Sequence, residues 1–294
     1  MKKFWIRTAS SVVYVALFLG TMFSGRLFGD NMTGAFVFAA FLLVVAMGCT
    51  YEFYKIGNLK GAHPLKWMGY LVNVCVVFCF LDLGYMYTIG GYGVLSNVLD
   101  IAVFACLLLI LLGLPLTAIV QLWRKSENPF SDIAFTFVPV FYIGLPLGLM
   151  QLAQMVQTNL LFMVVVLVWV NDACAYMSGS LMGKHKMWER LSPGKSWEGT
   201  VIGVLCAALV GGLATLLPMF KMLDWYGGAI LGVLCGVIGT LGDLVESMYK
   251  RSAGLKDSGK FLPGHGGFLD RFDSLLILMP FAALLLYFII GSIA

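Results

Sequence analysis

Residues 160–178 read LLFMVVVLVWVNDACAYMS. A helix needs about 20 mostly apolar residues to cross a hydrocarbon core, and this run is close to that length. It carries one charge, Asp172, near its middle, with Asn171 beside it and Tyr176 one turn on. An acid at the centre of a span costs roughly 2.5–3.5 kcal/mol on insertion, so it needs a partner or a wet cavity. The stretch predicts a membrane-embedded helix with something polar to face.

The rest of the chain agrees. Of 294 residues, 60% are hydrophobic and 12% are charged. Soluble domains carry about 25% charged residues. Mean hydropathy is +0.91. A soluble fold of this size lacks the polar residues to cover its outside. The composition excludes an ordinary cytosolic enzyme, a disordered chain and a secreted disulfide scaffold. The net charge of +4 is mild and no basic stripe with interleaved aromatics appears, so no nucleic-acid partner is expected. The seven cysteines all lie in apolar runs. Cys75 and Cys79 share a helix face, but no second ligand pair follows to make a zinc site. They read as small core residues.

Windows of span length give nine candidates: 8–25, 33–54, 67–89, 98–123, 132–155, 159–180, 199–220, 226–248 and 273–293. The fold class predicted is an all-α integral membrane protein, a polytopic bundle of about nine transmembrane helices. Lys2, Lys3 and Arg7 precede the first apolar run. No small-x-small cleavage site is evident there, so the run is read as a retained span. Pro139 and Pro146 lie seven apart on one face of the fifth span, and a kink is expected there. With the amino terminus inside and the carboxyl terminus outside, 17 of the 19 Lys and Arg residues fall on the inside. Only Arg26 and Lys221 fall outside, as the positive-inside rule requires. Two regions are distinguished: 1–130 with spans 1–4, and 131–294 with spans 5–9. The longest polar loops, 181–198 and 249–273, belong to the second region and to the cytoplasmic face. Gly228, Gly232 and Gly236 form a small-residue row that lets backbones approach closely, and such rows would also allow a homodimer.

Asp243, Glu246, Ser247 and Lys250 follow at i, i+3, i+4 and i+7, one stripe of the eighth span. The loop ahead of the seventh span contains Gly194-Lys195-Ser196, yet a P-loop requires glycine where Glu189 stands. That motif is rejected; a helix amino terminus beside lysines suits phosphate in any case. The segment after the eighth span is denser. Lys250, Arg251, Lys256 and Lys260 can neutralise phosphates, and glycines flank His265. Asp270 and Asp273 open the last span at i, i+3. Hard carboxylates near phosphates are what Mg²⁺ prefers.

The pattern Ser247-x-Tyr249-Lys250-Arg251-x4-Lys256-Asp257-x-Gly259-x2-Leu262-Pro263-x-His265-Gly266-Gly267-Phe268-x-Asp270-Arg271-Phe272-Asp273 resembles the signature of the CTP:phosphatidate cytidylyltransferases, or CDP-diacylglycerol synthases. One position departs from it: Tyr249 stands where an aliphatic residue or Phe is expected. The Ser192–Gly199 loop and Asp172 also resemble family features, and the resemblance covers roughly 165–275.

The resemblance implies a nucleotidyltransferase of phospholipid biosynthesis. It would make CDP-diacylglycerol and pyrophosphate from CTP and phosphatidic acid in the inner (cytoplasmic) membrane, with its active site on the cytoplasmic side. It implies that Asp243 and Asp270 hold Mg²⁺, with room for a second cation such as K⁺, and that Asp273 and Glu246 support or replace them. Lys250, Arg251, Asp257 and His265 are expected in the catalytic machinery. Lys195, Ser196, Lys256, Gly266, Gly267, Arg271 and Asp172 are expected to bind substrate. The residues alone leave other readings open. A CTP-dependent lipid kinase would transfer the γ-phosphoryl group to a polyprenol-type alcohol. A secondary transporter would use the buried acids as a relay, but it predicts inverted repeats and polar groups in the outward half. A silent scaffold leaves the Lys/Asp/His/Gly segment without explanation.

Overall fold

The fold was taken from a computed structural model, which describes residues 2–89, 94–259, 261 and 266–291, with side chains for 10–88, 101–259, 261 and 266–288. The helices are α1 (Lys2–Met22), α2 (Ser24–Phe28), α3 (Asn31–Leu59), α4 (Lys66–Ile89), α5 (Val94–Gln121), α6 (Pro129–Pro139), α7 (Leu145–Met182), α8 (Trp197–Ala214), α9 (Trp225–Ser252) and α10 (Leu269–Gly291). Their starts follow from local chemistry. Asp30 caps α3, accepting from the amides of Met32 at 3.1 Å and Thr33 at 2.9 Å. Those bonds hold its carboxyl below the usual carboxylate range, the Thr33 side chain contributing most. Asn128 caps α6, with Pro129 at its first position.

Seven stretches among the described residues are long and apolar enough to cross a membrane: 31–59, 66–88, 101–121, 129–182, 197–214, 225–252 and 269–288. The chain is a polytopic helical membrane protein. The sequence expected nine spans, and two features account for the difference. The expected fifth and sixth spans lie in one 54-residue stretch, Pro129–Met182. The first helix has a described apolar portion of only Ser10–Met22. Within the long stretch, a π-helical segment, Val140–Gly144, lies between Pro139 and Pro146, where a kink was expected. A proline lacks the N–H that an α-helical ladder needs, and the widened turn accommodates the gap. A second break falls at Gln157, whose backbone is extended (φ −151°, ψ 76°).

The chain divides into two compact units, residues 1–156 with 253–271, and residues 157–252 with 272–294. The sequence drew its line at 130/131, inside the first unit. The reason is packing: Phe137 of α6 and Val140 of the π segment close a core with Leu65, Met68, Val72 and Val76. Polar bonds reinforce it, since Thr136 Oγ1 accepts from the Leu65 amide at 2.8 Å. Around α3, the unit buries Phe18, Phe38 and Leu42 completely.

In the second unit α8 lies against α9. Cβ atoms at Gly228 and Gly232 would strike the backbones of Gly211 and Ala207, so only glycine permits this approach. The small-residue row is thus taken up inside the unit and is not an open surface for a second copy. The all-helical expectation needs one amendment: Lys186–Trp188 (β1) and Ser192–Ser196 (β2) form an antiparallel hairpin ahead of α8. The hairpin is joined to α8 by a bond from the Trp197 amide to the His185 carbonyl at 3.0 Å. Glu198 accepts from the His185 ring at 2.6 Å.

Candidate active site

The site in the second unit is built on the polar stripe of α9. One carboxylate oxygen from each of Asp243, Glu246 and Asp273 lies within 4.8 Å of the other two. Two like charges about 4 Å apart repel by about 4 kcal/mol at an effective dielectric constant of about 20. Three acids so placed therefore need cations. Two lysines supply part of the charge. Lys195 Nζ, on β2, lies 2.7 Å from Asp243 Oδ2 and also donates to the Thr240 carbonyl at 3.2 Å. Lys250 pairs with Glu246 one turn away, and Glu246 has no exposed surface.

Other groups complete the cluster. Ser247 Oγ donates to Asp243 Oδ1 at 3.4 Å. Asp273 Oδ1 accepts from the Ser274 amide at 2.6 Å. Asn171 Nδ2 lies 3.2 Å from Asp172 Oδ1 and 3.3 Å from Thr240 Oγ1, so it ties α7 to α9. Asp172 is within electrostatic reach of Lys195 and Asp243, and Asp273 within reach of Asp243, Asp172 and Lys250. Three oxygen donors at this spacing, with no His or Cys in the cluster among the described residues, fit a hard divalent cation such as Mg²⁺.

Several expected residues take other places. Ser196 is buried, and its hydroxyl accepts from the Gly199 amide at 3.2 Å as the cap of α8. Arg251 is exposed and donates through Nε to the Leu191 carbonyl in the hairpin turn at 3.3 Å. Lys256 and Asp257 are exposed. His265 lies outside the described residues.

Asp270, expected as a metal ligand, is a member of the first unit. Its Oδ2 accepts from the Ser258 amide at 3.0 Å and the Gly267 amide at 2.8 Å, and lies 2.9 Å from Ser258 Oγ. Gly266 has φ +87°, and a Cβ on it would meet Asp270 Oδ2 at 2.6 Å. The acid cluster of the second unit contains Asp273, one turn further along α10.

Glu52 is outside every motif that the sequence marks as functional. It lies inside the expected span 33–54, where an acid is costly, and that was the available signal. Glu52 is 4% exposed. Its Oε2 accepts from Ser258 Oγ at 2.7 Å and the Leu269 amide at 2.9 Å, and its Oε1 from the Phe268 amide at 3.1 Å. Beside it lies a cavity of about 530 Å³, with Tyr51, Lys55, Phe261 and Phe268 among its walls.

Comparison with known proteins places these residues in context. A profile described as "Cytidylyltransferase family" matches residues 5–289. A protein of Staphylococcus saprophyticus named phosphatidate cytidylyltransferase is 40% identical over 164 residues, 55% of this chain and 62% of that protein. Proteins of the same name are 38% identical over 162 residues in Staphylococcus haemolyticus and 39% over 164 residues in Staphylococcus aureus. Each of these matches also covers 55% of this chain and 62% of the relative, so the aligned region is just over three fifths of the relatives' length.

Proposed function

Because the chain belongs to the cytidylyltransferase family, we propose that it is a phosphatidate cytidylyltransferase, joining CTP to phosphatidic acid to give CDP-diacylglycerol and pyrophosphate. The observation that carries this reading is the cluster of Asp243, Glu246 and Asp273 with Lys195 and Lys250 beside it. It supplies oxygen ligands and ammonium groups together, which a polyphosphate substrate requires.

In the reaction, an oxygen of the lipid phosphate forms a bond to the α-phosphorus of CTP. The bond from that phosphorus to the bridging oxygen of the β-phosphate breaks, and pyrophosphate leaves with the electron pair. The lipid phosphate is already anionic near neutral pH, so no strong base is required. Positioning and charge neutralisation then carry most of the catalysis. Lys195 and Lys250 neutralise phosphate oxygens and hold the carboxylates in register. Exposed Arg251 adds positive charge that draws in the nucleotide, and Lys256 is assigned to substrate binding on the signature alone. Asp172, steadied by Asn171, presents an acceptor to the nucleotide side of the site. Asp243, Glu246 and Asp273 would hold Mg²⁺, and Asp270 remains a candidate ligand on the strength of the signature. When bound, that ion offsets the charge of the phosphates and of the departing pyrophosphate.

We take Pro129–Met182 as two spans, divided at Gln157, and Lys2–Met22 as the first span. That arrangement restores nine, with the amino terminus inside. It puts the hairpin, Lys250 and Lys256 on the cytoplasmic face of the inner membrane, where CTP is found.

The test is incubation of purified protein with CTP, phosphatidic acid and Mg²⁺. Label from α-³²P CTP is expected in the lipid extract. Label entering lipid only from γ-³²P CTP would replace this reading with a lipid kinase.

A further inference from the structure

Glu52 lies 216 residues before Phe268 in sequence, yet its carboxylate is built into the segment that precedes α10. Three donors converge on it: the Ser258 hydroxyl and the amides of Phe268 and Leu269. The two amides are orphan donors at the start of a helix, which need an acceptor from elsewhere. A carboxylate there also meets the positive end of the helix dipole. Ser258 Oγ stands between Glu52 Oε2 at 2.7 Å and Asp270 Oδ2 at 2.9 Å, and its one proton serves either acid, the shorter contact being to Glu52.

The glycines of the signature answer to the same carboxylate. A Cβ at Gly259 or at Gly267 would overlap the Glu52 carboxylate. The sequence reading gave Gly267 to close approach of a bound substrate; in the structure, the group that approaches it is a side chain of α3. Glu52 is therefore contacted by Ser258, Gly259 and Gly267–Leu269, which close around its carboxylate.

We propose that Glu52 is a positioning residue for the transfer reaction, clamping Ser258, Gly259 and Gly267–Leu269 at the start of α10 so that Asp270 is held in one orientation. The proposal rests on the cytidylyltransferase reading above. Glu52 touches no reacting atom; it acts through Ser258 and the backbone of Gly267–Leu269. Its carboxylate cannot be replaced by Gln without cost. The Gln amide keeps one acceptor oxygen and turns an N–H group toward donors that need an acceptor.

The experiment compares wild type, Glu52→Ala, Glu52→Gln and Asp132→Asn as purified full-length proteins. Asp132 is an equally buried acid of the first unit, accepting from the His63 amide at 2.5 Å, and no catalytic role is assigned to it. Amide hydrogen exchange is measured without metal or substrate. Phe268 and Leu269 are expected to exchange at least tenfold faster in Glu52→Ala, with Glu52→Gln between it and wild type, and no change in Asp132→Asn. In turnover assays normalised to folded protein, kcat falls at least tenfold in both Glu52 variants while KM for phosphatidic acid stays within twofold. Asp132→Asn lowers the melting temperature and keeps kcat within twofold. Unchanged exchange at Phe268 and Leu269, or kcat per folded molecule retained in Glu52→Gln, overturns the proposal. If Glu52→Ala does not fold, Glu52→Gln carries both arms. A wild-type protein that transfers no cytidylyl group defeats the function instead, and the exchange arm still reports whether Glu52 holds the segment.

Discussion

Lys195 Nζ and Asp243 Oδ2 lie 2.7 Å apart, joining the β hairpin to the polar stripe of α9. Neither side chain is fully buried, with 22% and 33% of their surfaces exposed, so the pair remains open to exchange of partners. A part-exposed ion pair of this kind adds modestly to stability, about 1 kcal/mol after solvent screening. The pair holds a cation of the hairpin against one acid of the Asp243–Glu246–Asp273 cluster.

Replacing Asp243 with Asn should abolish cytidylyl transfer while leaving the protein inserted and monodisperse. The substitution keeps the shape and removes the charge that both Lys195 and a divalent ion would use. Transfer of α-³²P label to lipid measures the first outcome, and size-exclusion chromatography in detergent the second. Activity retained in purified Asp243→Asn would remove the acid from the mechanism.

Lys195→Met should lower kcat/KM about 100-fold, the scale for loss of one preorganised charge-stabilising donor. The melting temperature should fall only modestly, because the pair is part-exposed and Lys250 still faces the acids. A large loss of stability with normal turnover would make Lys195 a structural residue.

Chelation of divalent cations should stop turnover, and Mg²⁺ should restore it. In Asp273→Asn the Mg²⁺ concentration for half-maximal activity should rise at least tenfold, because one of three carboxylates no longer bears charge. A metal titration of activity against wild type measures the shift.

Gly232→Val should separate α8 from α9, since even a Cβ there meets the Ala207 backbone. Overpacking of this kind costs roughly 1–3 kcal/mol. A lowered melting temperature in detergent is expected, whereas Gly194→Ala, with open space around it, should leave stability unchanged.

Single cysteines at Lys186 and Lys221, both exposed, should react with an impermeant maleimide from opposite sides of the membrane. Labelling of intact cells and of inverted vesicles reads this directly. Same-side labelling would refute the nine-span arrangement.

Much of this protein was legible along the chain. The density of apolar residues and the placement of basic ones specified a polytopic membrane protein, because the bilayer imposes its requirement on each segment separately. The stripe Asp243–Glu246–Ser247–Lys250 and the close packing at Gly228 and Gly232 follow from helical periodicity, which is local. The interruption near Pro139 follows from the chemistry of a single residue. The sequence divides Pro129–Met182 into two spans, whereas the structure has one apolar stretch there with an extended residue at Gln157.

What the sequence by itself determined was the membrane class, the stripe of polar groups on α9 and the motif that marks the family. Each depends on residue type and short spacing. Only the tertiary structure decided that Asp273 joins Asp243 and Glu246, that Ser196 is spent on capping α8, and that Glu52 supports the segment before Asp270 from 216 residues away. The physical reason is that carboxylates and backbone amides choose partners by distance in space. Between α3 and α10, chain order carries no information about that distance.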